Sequence, residues 1–165
     1  MRAFANYCAA LLLTAALSTY VYAHCQVPCG IYGDQLRIET LMEHYVTIAK
    51  SAKQIRELSK AKDKDYNQVV RWVNNKEKHA DEVAHIVTYY FMAQRVKPPK
   101  EGGEAAIHSY RRKFVLLHEM LIEAMKSKQS AEDEPVQQLR KLTLQFHEAY
   151  FTDADKKHLE QHQLK

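Results

Sequence analysis

The sequence predicts an all-α fold, an antiparallel four-helix bundle with a short hook at its N-terminal end. Three observations carry this. Only 4 Gly and 4 Pro occur in 165 residues, which favours long regular elements over many turns. Four segments place apolar residues at steps of three and four, the spacing that lays one stripe along a helix. No segment alternates with period two, so strands are not expected. The length suits one domain with a real core, and 46% hydrophobic with 27% charged residues is ordinary globular composition.

Residues 1–23 read as a cleaved secretory signal peptide. Arg2 supplies the positive start and Cys8 to Leu17 the apolar centre. Val21-Tyr22-Ala23 resembles a small-x-small cleavage site. The apolar run is shorter than the roughly 20 residues that span a bilayer. Cleavage after Ala23 would export the chain, to a periplasm or the extracellular space, with His24 as its first residue and no membrane attachment.

The segment His24-Cys25-Gln26-Val27-Pro28-Cys29-Gly30-Ile31-Tyr32 then gathers one imidazole and two thiols at the chain end. Residues 24–152 form the hook-and-bundle domain. Asp34 is placed to cap a first helix whose apolar stripe runs Ile38, Leu41, Met42, Tyr45, Ile48, Ala49, Ala52, Ile55 and Leu58. Lys60 to Lys64 is a polar break, and Asp65 with Gln68 fits a capping box for the second helix. That helix carries Val69, Val73, Ala80, Val83, Ala84, Val87, Tyr90 and Phe91 inward and ends before Pro98-Pro99. The third points Ile107, Tyr110, Phe114, Leu117, Leu121, Ala124 and Met125 inward. Pro135 suits the first turn of the fourth, with Val136, Leu139, Leu142, Phe146, Ala149 and Tyr150 on its apolar face. Short joints between such helices imply antiparallel neighbours. Residues 153–165 are polar and are expected to be a frayed extension.

The net charge of +4 drops to +3 without the leader, whose one charged side chain is Arg2. Acids interleave with the bases, and nucleic-acid binding would want a concentrated basic stripe. A mild positive field still attracts small anions. Glu82-x-x-His85 stands alone where a di-iron bundle needs two such motifs. His118-Glu119 and His147-Glu148 lack the second His of a zinc-protease helix, having Ile122 and Phe151 there.

The hook carries the chemistry. A free His24 amine, the deprotonated Cys25 amide nitrogen and the thiolates of Cys25 and Cys29 can form a planar four-donor set. Four extended residues span about 14 Å, so Cys29 must fold back, and Pro28 and Gly30 flank it where a reversal needs them. Planar coordination with nitrogen donors points to Cu(II) or Ni(II), and thiolates would reduce Cu(II). Zinc would prefer a tetrahedron. The His24 imidazole remains as a fifth, axial donor. Two other readings use the same residues: a secreted metal-binding or metal-delivery module without turnover, and a bundle stapled by a Cys25–Cys29 disulfide.

His24-Cys25-x-x-Pro28-Cys29-Gly30-x-Tyr32 resembles the nickel hook of the nickel-containing superoxide dismutases. The resemblance implies a helical-bundle enzyme, assembled as a homohexamer, that disproportionates superoxide at one nickel ion per subunit. It implies that His24, Cys25 and Cys29 are the metal ligands and that Tyr32 guards substrate access. It further implies that Glu39, within Arg37-Ile38-Glu39, and Arg71 hold the axial His24. Departures are Gln26 where the family usually has Asp, a first-helix segment starting one residue early, and a longer interval from Tyr90-Phe91 to Lys97-Pro98-Pro99. The likeness is close over residues 24–99, is one of pattern over 104–152, and is absent from 153–165.

Overall fold

A computed structural model describes residues 30–161 of the chain, so the leader and His24, Cys25 and Cys29 lie outside the described residues. The elements are α1 (Ile31–Lys60), α2 (Tyr66–His85) continuing directly into a π-helix (Ile86–Arg95), α3 (Gly103–Gln129), α4 (Glu134–Tyr150) and a short α5 (Asp153–Gln161). The described residues form an all-α antiparallel bundle in which α1 packs on α2 and α3 on α4.

The expected stripes of α1 and α4 are the ones that go inside. Leu41, Ile48, Leu139 and Phe146 are fully buried, joined by Val83, Val87, Tyr90 and Phe91 from the second helical stretch. Burying each such side chain contributes about 1.5–3 kcal/mol, against about 0–1 kcal/mol for an exposed ion pair. The stripes therefore decide the packing. Two polar contacts cross between helices inside the bundle: the hydroxyls of Tyr45 and Thr143 share a 2.6 Å hydrogen bond across α1 and α4. Asn75 donates to Ser51 Oγ at 2.9 Å between α1 and α2.

α3 departs from expectation. Leu117 and Ala124 are buried, but with Leu116 and Met120 as partners, while Ile107, Phe114 and Met125 face outward. Apolar residues wrap much of this helix, so periodicity alone does not single out one face. At the far end of the bundle, Lys76 is buried and its Nζ donates to the carbonyls of Ser127 (2.5 Å) and Lys128 (2.7 Å) as α3 ends. A helix C-terminus leaves such carbonyls without partners, and a cation suits them. Arg56 ties the same region down by donating to the Ala131 carbonyl and to both oxygens of Asp133.

The capping expectations divide. Asp65 Oδ1 accepts from the Gln68 N–H at 3.1 Å and Pro135 occupies the first turn of α4, as expected. Asp34 does not cap α1; Gly30 precedes the helix and Asp34 lies inside its first turn, 2% exposed. Residues 153–161 are helical, not frayed. Thr152 and Asp155 cap each other reciprocally, Thr152 N–H to Asp155 Oδ2 at 2.9 Å and Asp155 N–H to Thr152 Oγ1 at 3.2 Å. Leu159 anchors α5 in the core.

Candidate metal centre

The hook joins α1 at Gly30, whose φ of 95° with ψ of −179° is a conformation open essentially to Gly alone. Its carbonyl accepts the first helical bond, from the Asp34 N–H at 2.8 Å. The chain thus passes from Cys29 into a rigid helix through one residue. Gly30 stands at the pole where the N-terminus of α1, the end of the π-helix, the C-terminus of α4 and α5 converge.

The root of α1 is clamped by a carboxylate. Asp34 Oδ1 accepts from the Tyr90 hydroxyl and from Arg95 Nε, both at 2.7 Å. Its Oδ2 accepts from Arg95 Nη2 at 2.5 Å and from the Tyr150 hydroxyl at 2.8 Å. Burial, reinforced by the bond to Asp34, pushes the phenols of Tyr90 and Tyr150 above their ordinary range, so both remain donors. The bond to Asp34 likewise fixes Arg95 as a cation. Arg37 lies over the Tyr90 ring, 5.1 Å from its centroid.

The π winding makes this clamp possible. Tyr90 and Arg95 are five apart, a spacing that would put them on different faces of an α-helix. In the π-helix the bond closes over five residues, as Val96 N–H to the Phe91 carbonyl at 2.8 Å illustrates, and both side chains reach one carboxylate. Beyond Arg95 and Tyr150 opens a pocket of about 250 Å³ that also includes Lys97, Lys113 and Tyr110. With Arg95 matched by Asp34, the two lysines leave the pocket positive.

Of the expected site residues, Tyr32 stands on the first turn of α1, 52% exposed, its hydroxyl 2.7 Å from His158 Nε2. Glu39 is exposed two turns on, accepting from Gln35 Nε2 at 2.9 Å. Arg71 is exposed near the start of α2. The structure does not bring these two together within one chain. The contacts His44 Nδ1 to His79 Nδ1 (2.8 Å) and Ser51 to Asn75 set the antiparallel register of α1 and α2. Arg71 then lies level with the region of Ile55, roughly 20 Å along the axis from Glu39 at about 1.5 Å per residue.

The donor types in residues 24–29, an imidazole, two thiols and main-chain nitrogen, are of the kind that suits nickel. Among the described residues no group of three or more His, Cys, Asp or Glu could hold a metal ion. Sequence reasoning missed the Asp34–Arg95 clamp. Its members sit 61 positions apart and on a π-helix, which leaves no periodic trace.

A profile of the family described as nickel-containing superoxide dismutase matches residues 19–154. No curated protein and no solved structure matches the chain. The family match covers most of the length and includes both the hook and the bundle. The chain therefore belongs to the nickel-containing superoxide dismutase family: it is an oxidoreductase acting on superoxide, with nickel as cofactor.

Proposed function

We propose, starting from that membership, that removal of residues 1–23 makes His24 the first residue of an exported superoxide dismutase. The observation that carries the reading is the motif His24-Cys25-x-x-Pro28-Cys29-Gly30-x-Tyr32 inside the matched span. The His24 amine, the Cys25 amide nitrogen and the thiolates of Cys25 and Cys29 would hold nickel, with the His24 imidazole as a further donor. Nickel, when bound there, would supply the one-electron Ni(II)/Ni(III) chemistry by which one superoxide is oxidised to dioxygen and another, with two protons, is reduced to hydrogen peroxide.

The protein's own groups do the rest. Tyr32 presents a hydroxyl at the mouth of the site, where it donates to the anion and restricts approach. Glu39 orients the His24 imidazole, as carboxylates commonly orient ligating histidines. Arg71 joins it from a neighbouring subunit of a homohexamer, since within one chain it lies far along the bundle. Lys97 and Lys113 add positive potential at the hook pole and raise the encounter rate of an anionic substrate.

The test is the mass and the N-terminal sequence of the mature protein, followed by nickel loading and a superoxide assay. The expected result is a chain beginning at His24, one nickel per subunit, and rapid turnover. An N-terminus upstream of His24 in active material removes the amine donor and defeats the ligand set. Inactivity at full nickel occupancy defeats the enzyme reading.

A further inference from the structure

We propose that His158, on α5, is a positioning residue that holds and polarises the Tyr32 hydroxyl for its contact with superoxide. The inference rests on the access role proposed for Tyr32. It concerns a residue outside the family match, which ends at residue 154.

Four observations build it. Thr152 and Asp155 cap α5, and Lys156 Nζ donates to Glu148 Oε2 at 2.5 Å, fixing the helix against the end of α4. Leu159, 7% exposed, pins the next turn to the core. His158 stands between these two anchors, so its ring is delivered by a docked helix. Its Nε2 lies 2.7 Å from the Tyr32 oxygen, with the ring centroids 5.6 Å apart.

The chemistry assigns a direction to that bond. Superoxide is an anion and only accepts, so a useful phenol must point its one hydrogen at it. A phenol oxygen that accepts from an imidazole N–H still carries its own hydrogen as a donor and becomes a better one, because chained hydrogen bonds polarise one another. An imidazole bearing hydrogen on Nε2, neutral or protonated, imposes that order.

Four full-length, nickel-loaded proteins test this: His158→Ala, His158→Gln, Tyr32→Phe, and His158→Ala with Tyr32→Phe. His158→Ala should lower kcat/KM about threefold to tenfold, the scale of one hydrogen bond, at unchanged nickel content. His158→Gln, whose amide can still donate, should recover most of that. In the Tyr32→Phe background His158→Ala should cost nothing further, because the two residues act as one unit. In the nickel-free protein, the 13Cζ signal of Tyr32, identified by its loss in Tyr32→Phe, should move in His158→Ala and return toward its place in His158→Gln. Wild-type kcat/KM in His158→Ala, or an equal loss with and without the Tyr32 hydroxyl, overturns the proposal. If Tyr32→Phe alone leaves kcat/KM unchanged at full nickel content, the access role fails and the positioning role falls with it. A slow Tyr32→Phe beside an unaffected His158→Ala removes the positioning role only.

Discussion

Each pole of the bundle buries one charged side chain, and the two are satisfied in different ways. At the far pole Lys76 meets two main-chain carbonyls at the end of α3. Those carbonyls exist wherever a helix stops, and any well-aimed donor would satisfy them. At the hook pole Asp34 is surrounded by Arg95 and the hydroxyls of Tyr90 and Tyr150, from two further elements. That arrangement needs particular side chains, a particular winding and a particular register. The fold surrounds its buried charge with specific side chains at the end where the N-terminal segment joins α1, and main-chain carbonyls satisfy the buried cation at the other.

The contrast breaks hardest at Asp34. Asp34→Ala strands a guanidinium and two phenols, and removing one partner of a buried pair typically costs about 3 kcal/mol or more. We expect a loss of about 3 kcal/mol, since Arg95 keeps some access to water. Urea denaturation measures it, and nickel content should fall in parallel because the root of the hook loosens. Lys76→Met comes next, at about 1–2 kcal/mol for two carbonyls left without their donor, with nickel content unchanged. Equal nickel loss in both variants would erase the distinction between the poles.

The smallest effect lies midway, at the His44–His79 contact. Burial first, then the neighbouring His79, hold the His44 pKa below its usual 6.5, with Glu82 and Glu43 opposing. The folded state then binds fewer protons than the unfolded chain as the pH drops below 6.5. The contribution to stability is complete above that value and declines as pH falls through the folded pKa. The urea midpoint should decrease from pH 7.5 to about pH 5.5, and the decrease should be shallower in His44→Gln.

Much of this was legible in the residues. The stripes of α1 and α4 follow from steps of three and four, and the family of the chain follows from the motif that begins at His24. Asp34 was not legible. An acid near the start of a helix looks the same whether it caps the helix from outside or is enclosed within its first turn, and only the partners decide. Nor does sequence disclose the register of α1 on α2, so the expectation that Glu39 and Arg71 both hold His24 carried no sign that the two lie far apart in one chain. α5 left a trace in Thr152-x-x-Asp155, a capping pair three apart, but its single anchoring Leu159 makes no stripe.

The wound-out stretch between His85 and Val96 bears on how relatives of this chain should be aligned. Side chains four apart share a face at α-helical pitch, and here Tyr90 and Arg95 share one while five apart. A homologue shorter by one residue between them keeps both contacts simply by tightening its coil. A gap at this place is therefore no sign of a lost clamp, and the equivalent arginine should be sought four positions after the tyrosine as well as five.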